Sequence, residues 1–330
     1  MPELPEVEVV RLGLEPAVRG ATVRAVDVRD IRSLRRHPGP AEEFVDRLVG
    51  ARIVAAVRRG KFLWLPLEHP ALTGDRADEA LVAHLGMSGQ LLLRAADAPD
   101  DRFTRIRLLI HHPDHGELAV HFADQRVFGA MALDELLPTS DGAPGGAGST
   151  DATVPSQVSH IARDPLDPAF SAREFFTRMA RRDSGIKRLL LDQTLISGIG
   201  NIYADEALWS ARLHFDQPAS SISRRKAGEL LAALRGVLEK ALDEGGTSFD
   251  SQYVNVNGQA GYFAHSLNAY GRHGLTCPRC GTVMRREQFM NRGSHFCPRC
   301  QRLRLGRLQR GIREVTSNAA AQDGDSSPVA

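Results

Sequence analysis

All four cysteines of this 330-residue chain fall in two pairs, Cys277-x2-Cys280 and Cys297-x2-Cys300, with sixteen residues between the pairs. Two such turns, each presenting two thiolates, suit one tetrahedral Zn²⁺. The metal would supply folding energy that so short a segment cannot gain from a core. Four cysteine ligands leave no open coordination position, so the ion is expected to be structural. Two disulfides or a redox dithiol would be the alternative, and the spacing fits them less well. Around these cysteines Arg279, Arg285, Arg286, Arg292, Arg299, Arg302, Arg304, Arg307 and Arg310 face a single acid, Glu287. Thiolates on Zn²⁺ carry net negative charge, and this many arginines offset it and leave a cationic surface suited to phosphate. The plainer reading is a solvated face that keeps the ribbon soluble.

A second candidate for chemistry is the start of the chain, Met1-Pro2-Glu3-Leu4-Pro5-Glu6-Val7-Glu8. Its local reading is a helix start, with proline in the first turn and acids complementing the helix dipole. Methionine before a small residue is normally removed, however, which would leave a free secondary amine beside a carboxylate. Such an amine can attack a sugar C1′ and form an iminium, an electron sink that permits elimination of the adjoining phosphates. An α-amino group titrates near ~8 and lysine near ~10.4, so the terminal amine has more of its nucleophilic form at neutral pH. Glu3 would be placed to shuttle protons.

These groups need elements to position them. The length predicts two or three domains. The net charge of +2 is small, but its distribution is uneven. No run approaches the ~20 apolar residues of a membrane span, and the first residues do not resemble a signal segment, so the expected location is cytoplasmic. Val7, Val10, Leu14 and Val18 predict an amphipathic helix over 4–18. Short apolar or alternating runs at 22–28, 52–57, 62–67, 81–85, 91–93, 106–110 and 118–122 predict strands of a sandwich or barrel. Residues 138–154 are rich in Gly, Pro, Ser and Thr and read as a flexible insertion. Helices are expected at 172–182, 186–195, 201–212 and 223–244, the last stopped by Gly245-Gly246. The last residues, from about 306, are expected to be disordered.

Six segments in order make the chain similar to the formamidopyrimidine-DNA glycosylase family from Met1 to about Gln301. They are Pro2-Glu3-Leu4-Pro5-Glu6, Arg59-Gly60-Lys61-Phe62, His84-Leu85-Gly86-Met87-Ser88-Gly89, Asp124-Gln125-Arg126-Val127-Phe128-Gly129, Gly198-Ile199-Gly200-Asn201-Ile202-Tyr203, and the cysteine ribbon. The resemblance implies an α+β protein: an N-terminal helix plus β-sandwich over 1–137, an insertion or linker over 138–158, a helix–two-turn–helix domain over 159–265, a zinc ribbon over 266–305 and a tail over 306–330. DNA is expected in the cleft between the two lobes.

The activity it implies is excision of oxidised purines from double-stranded DNA followed by β,δ-elimination, by a monomer holding one structural Zn²⁺ and no redox or nucleotide cofactor. Residue by residue, Pro2 becomes the Schiff-base nucleophile, Glu3 the general acid or base, Lys61 the proton donor for β-elimination, and Arg292 the donor for δ-elimination and a phosphate grip. Met87, Arg126 and Phe128 become the side chains that fill the gap left by a flipped base, with Arg126 reading the orphaned cytosine. Lys187 and Asn201 become DNA contacts, helped by N–H groups at the start of the helix after Gly200. Residues 253–263 correspond to the loop over the flipped base. The resemblance is imperfect at Asp183, often basic in relatives, and in the length of the insertion after Pro138. The sister activity on oxidised pyrimidines is disfavoured by Leu4 and the Met87/Arg126/Phe128 set. A non-enzymatic zinc-ribbon protein would leave Pro2, Glu3 and Lys61 without a purpose.

Overall fold

Helix α1 (Leu4–Val18) starts where the Pro-Glu-Leu-Pro-Glu run predicts. Glu3 and Glu6 form a reciprocal capping box there, and a proline occupies the first turn. The computed structural model describes residues 2–69, 77–247, 256 and 261–304. Its strands are β1 (Thr22–Val28), β2 (Arg52–Ile53), β3 (Val57–Arg59), β4 (Phe62–Glu68), β5 (Ala77–His84), β6 (Gly89–Ala95), β7 (Thr104–His112), β8 (Gly116–Asp124), β9 (Ala130–Pro138) and β10 (Thr153–Pro155). Helix α2 (Ala41–Leu48) lies between β1 and β2.

The strand order is β10-β9-β5-β4-β2-β1-β7-β8-β6, with β3 paired to β4 alone. Strand β2 has two residues and meets β1 at a single register pair, Thr22↔Arg52. So narrow a join lets the halves of the sheet close over one core. Leu63, Leu65, Leu81, Met131 and Leu133 from one half share that core with Ile106, Leu108, Ile110, Val120 and Phe122 from the other, and Val7, Val10 and Leu14 of α1 enter it too. This is the expected helix-plus-sandwich. Strand β7 shows why periodicity revealed it, since every second residue from Thr104 to His112 is buried.

Some elements differ from expectation. The run 52–57 is two strands because β2 and β3 pair with opposite ends of β4. Helix α2 was not anticipated, having only Phe44 and Leu48 as buried residues. The largest correction concerns residues 138–158, which are folded rather than flexible. Strand β10 pairs with β9, and Ala147 and Arg58 exchange both backbone hydrogen bonds at 2.9 Å. A Cβ at Gly145 would lie 2.0 Å from the Thr153 carbonyl oxygen, and one at Gly146 would lie 2.2 Å from that of Arg58. Glycine here permits close backbone approach, not mobility.

Contacts divide the chain into two compact units. One comprises Met1–Ser171, Leu190–Ala204 and Leu234–Leu267, the other Ala172–Leu189, Asp205–Ala233 and Asn268–Ala330. Segments of the stretch 159–265 fall in both units, and nearly all of 266–305 falls in the second, a unit larger than the ribbon itself. That larger unit holds α3 (Ala172–Ala180) and the hairpin of β11 (Arg285–Phe289) and β12 (Arg292–Phe296). Cys277, Met284 and Cys297 pack there with Ala269 and Trp209, and Gln301 donates to the Leu213 carbonyl at 2.9 Å. Helices α4 (Ile186–Leu190), α5 (Asn201–Ser210) and α6 (Arg224–Asp243) complete the described α-helices. Among the described residues, no helix is long and apolar enough to cross a membrane.

Gly146→Ala should lower the unfolding free energy by about 1–3 kcal/mol in urea titrations, since backbone atoms must move to admit the methyl group. Gly228→Ala in α6, with open space around its Cα, should instead raise it by about 0.5–1 kcal/mol. Equal, negligible effects would mean that the 138–158 segment is the loose insertion its composition suggests.

Candidate active site and nucleic-acid interface

Pro2 and Glu3 are both buried. The Glu3 carboxylate accepts hydrogen bonds from the backbone N–H groups of Gly200 at 2.6 Å, Ile202 at 3.1 Å and Tyr203 at 3.4 Å. These are the donors that a helix start leaves without partners, here those of α5. The Leu4 N–H donates to the Gly198 carbonyl at 2.9 Å, so the chain start is held on both sides of Glu3. Phosphate was expected at these α5 amides; Glu3 occupies them instead, and Asn201 is buried.

Glu6 completes the anchor. It accepts from the Glu3 N–H at 2.8 Å, the Tyr203 hydroxyl at 2.5 Å, and the N–H and hydroxyl of Thr247 at 2.8 Å each. No role had been assigned to Glu6, although its spacing from Glu3 is the capping-box signal. Burial raises the Glu3 pKa above its ordinary value, Lys61 opposes the rise, and the Glu6 charge adds to it. A carboxyl in this position is suited to taking and returning a proton.

Lys61 reaches this anchor through the turn between β3 and β4. Gly60 adopts φ +57°, and a Cβ there would lie 2.8 Å from the Ser197 side chain, so the turn packs against Ser197–Gly198. The same Gly198 receives the Leu4 N–H, which brings the Lys61 turn beside Pro2 and Glu3. Arg58 fixes the turn from behind. It is buried, pairs with Glu8 at 2.6 Å and Asp164 at 2.8 Å, and donates to the Gly60 carbonyl at 3.2 Å. Arg11 adds a second cation on Glu8 at 2.8 Å. The neighbouring Arg59 donates to the Gly145 carbonyl at 2.7 Å, which ties the glycine-rich segment to the same turn.

Met87, Arg126 and Phe128 are exposed on two adjoining loops of the same unit. A Cβ at Gly86 would lie 2.4 Å from the Phe128 backbone, so the loops touch main chain to main chain. Buried Asp124 organises them: it accepts from the Ser88 hydroxyl at 2.5 Å, the Arg126 N–H at 3.1 Å and the Gly129 N–H at 2.6 Å. Arg35 donates to the carbonyls of Val127 at 3.0 Å and Gly129 at 2.8 Å, and also to that of Phe128. Val127 is held at φ +54°, a costly conformation for a β-branched residue. Rigid backbone therefore projects three side chains into solvent. Of the loop expected over a flipped base, residues 253–255 and 257–260 lie outside the described residues, Tyr262 is exposed and Phe263 is buried.

In the second unit Lys187 departs from expectation. It is fully buried, with Nζ 2.6 Å from Asp205, 3.0 Å from the Ser294 hydroxyl and 5.2 Å from the Phe289 ring centre. Its charge is paired with Asp205, which also accepts the His295 N–H at 2.8 Å, so that it meets protein atoms where a lysine facing the lesion was expected. Asp183, at the position often basic in relatives, accepts from the Ser220 hydroxyl. Arg292 is exposed at the start of β12, paired in register with Phe289 across a tight turn. The four cysteine sulfurs lie within 4.8 Å of one another. A tetrahedron of Zn–S bonds near ~2.3 Å has edges of about 3.8 Å, so the donor set fits one zinc ion. The Trp209 indole N–H donates to Cys277 Sγ at 3.5 Å and the Cys300 N–H to Cys297 Sγ at 3.4 Å, contacts that favour thiolate.

Two measurements follow from this geometry. His84, packed on Phe62 with its Nδ1 accepting the Gly86 N–H, has its pKa lowered from 6.5 to about 4 by burial and then by Arg36, Lys61 and Arg35. The unfolded chain takes up this proton first, so the stabilisation is present above pH 6.5 and lost as pH falls towards 4. The unfolding free-energy difference between wild type and His84→Gln should narrow across that window; a constant difference would remove His84 as its source. Asp205→Asn should cost about 3–5 kcal/mol by leaving the Lys187 charge buried without its counter-ion, measurable by chemical denaturation, with the double variant Asp205→Asn/Lys187→Met recovering part of the loss.

Comparison with known proteins gives the family. The family description "Formamidopyrimidine-DNA glycosylase N-terminal domain" matches residues 1–131, the H2TH domain of the same family matches 161–252, and a zinc finger found in FPG and IleRS matches 274–303. The chain is 62% identical over 303 residues to the formamidopyrimidine-DNA glycosylase of Leifsonia xyli, covering 92% of this chain and 100% of that one. It is 51% identical to that of Mycobacterium ulcerans, covering 91% of this chain and 98% of the relative. Its fold is similar to a Lactococcus lactis Fpg in complex with abasic-site DNA, with TM-score 0.74, 28% identity, and coverage of 91% of this chain and 99% of that one. A complex of the L. lactis protein with DNA containing Fapy-dG gives TM-score 0.72 at 28% identity, covering 91% and 100% of the two chains. With a capped Pro-Glu start, a sandwich, helical segments and a four-cysteine zinc finger in the family's order, the chain belongs to the formamidopyrimidine-DNA glycosylase family.

Proposed function

We propose that this chain excises oxidised purines, 8-oxoguanine and formamidopyrimidines, from double-stranded DNA and then cleaves the strand by β,δ-elimination through a Schiff base on Pro2. The observation that carries the reading is the anchored Pro2–Glu3 start, with a buried carboxyl of raised pKa and the Lys61 turn packed beside it. The names of the relatives and the damaged DNA in the solved complexes support the substrate class.

The chemistry begins when Met1 is removed, because acylation by Met1 leaves the Pro2 nitrogen an amide without nucleophilic character. The freed amine adds to C1′ as the bond from C1′ to the base breaks, and the departing base takes a proton supplied through Glu3. Opening of the sugar ring then gives a C1′ iminium. Loss of a C2′ proton feeds electrons towards that iminium and expels the 3′ phosphate; Lys61 supplies a proton in this step. A second elimination expels the 5′ phosphate, with Arg292 as donor and phosphate grip. Water then releases the sugar fragment and restores the amine. The structural zinc ion takes no part in bond making. Met87, Arg126 and Phe128 fill the gap left by the flipped base, at a stacking cost of a few kcal/mol that their contacts offset.

The test is borohydride reduction during incubation with a duplex carrying 8-oxoguanine opposite cytosine. Protein lacking Met1 should give a covalent adduct, mapped to Pro2 by mass spectrometry, together with strand cleavage. Protein that retains Met1 should bind the duplex but give neither. Absence of an adduct with the Met1-free protein would sink the mechanism. A duplex carrying thymine glycol, run in parallel, should be cut more slowly; the reverse order would favour oxidised pyrimidines as substrates.

A further inference from the structure

A groove of about 860 Å³ opens in the second unit beside Cys280 and Cys300. Six arginines line it: Arg212, Arg225, Arg279, Arg299, Arg302 and Arg304, joined by Lys226 and, among the described residues, by no carboxylate. None is among the residues assigned above to the lesion, and the hairpin arginines Arg285, Arg286 and Arg292 are not part of it. Arg225 and Lys226 pair with Glu229 outside the lining. Among the described residues, Arg212, Arg299, Arg302 and Arg304 make no ion pair, which leaves a concentration of like charge that folding alone does not reward.

Two features show that these cations are placed and not merely left over. Buried Gln217 pins the chain at Arg304 twice, accepting its N–H at 2.9 Å and donating to its carbonyl at 2.8 Å. Arg279 is seated on the Trp209 ring at 4.0 Å and donates to the Trp209 carbonyl at 2.9 Å. The first turn of α6 supplies Arg224, Arg225 and Lys226 and holds no acid. Three cations there oppose the helix dipole, whereas α1 and α2 both carry acids in their first turns. An anionic ligand removes both conflicts.

We propose that this groove is a second nucleic-acid contact, taking the sugar-phosphate backbone of duplex DNA outside the lesion. The choice of duplex DNA rests on the function proposed above; the cationic groove does not. Arginine forks match phosphate oxygens in pairs, and the lining hydroxyls of Ser221 and Ser223 add neutral donors. The apolar members, Leu213 and Ile222, are each only 8% exposed and offer no pocket for the side-chain anchors of a peptide. The contact would hold the protein on undamaged duplex during its search.

The full chain and the triple variant Arg225→Ala/Arg299→Ala/Arg302→Ala are titrated with an undamaged duplex several helical turns long, across a salt series. Each phosphate contact contributes about 0.9 to the slope of log affinity against log salt, so the triple variant should lose about 2–3 from it. The matching Arg→Lys triple should keep the slope, because charge rather than side-chain shape carries this term. Zinc content reports on folding; if the alanine triple loses zinc, Arg225→Ala alone carries the test, with a loss of about one. An unchanged slope in a zinc-replete variant overturns the proposal, as does a wild-type groove that takes polyglutamate in preference to the duplex. Since the duplex is undamaged, the result is read independently of borohydride trapping.

Discussion

A carboxylate seated on the start of a helix governs the first of the two units. Glu3 satisfies three backbone donors of α5, and those donors oppose part of the cost of burying its charge. Because Glu3 is the third residue, this bond set fixes where the chain begins. Glu6 turns the anchor into a network, with four donors from Glu3, Tyr203 and Thr247 converging on one side chain. The Tyr203 hydroxyl is buried beside Glu6 and held well above its ordinary pKa, first by desolvation, so it stays a donor. Each partner's polar group needs the others, and the cooperativity of such networks makes the chain start rigid.

Around that anchor the same solution recurs with other residues. The Lys61 turn is held from behind by buried Arg58 between Glu8 and Asp164, and from outside by a glycine-rich segment close enough to exchange backbone hydrogen bonds. The loops bearing Met87, Arg126 and Phe128 are held by Asp124 and Arg35. In each case buried charge reaches main-chain atoms of the turn or loop and fixes the backbone that carries the side chains. Preorganisation of this kind is what a site needs if binding energy is to be directed at chemistry.

Much of this was legible in the sequence, and the misreadings have physical causes. The cysteine spacing encodes a coordination geometry directly, so the metal site could be read from four positions. Pro2, Glu3 and Lys61 stood out through motifs, although nothing local in Arg59-Gly60-Lys61 says that its turn will lie against Ser197. The 138–158 segment was misread because composition reports backbone freedom and not close approach: Gly145 and Gly146 look the same whether they flex or make room for Thr153 and Arg58. Lys187 was misread because a positive charge in the sequence does not show its counter-ion, and Asp205 lies eighteen residues away. The hairpin of β11 and β12 escaped notice because four of the five β11 residues are exposed and give no apolar alternation.

The anchoring of Glu3 also has a bearing on how the protein can be handled. With the carboxylate and the N–H of residue 3 both committed to buried partners, any leader fused ahead of Pro2 must depart from a fixed point in the interior of the first unit. A fusion there would be tethered where buried hydrogen bonds leave the chain no slack, and it would cap the nitrogen on which the proposed chemistry turns. Affinity handles, fluorophores and surface tethers therefore belong on the far end of the polypeptide, where attachment leaves the first turn of α1 as the sequence made it.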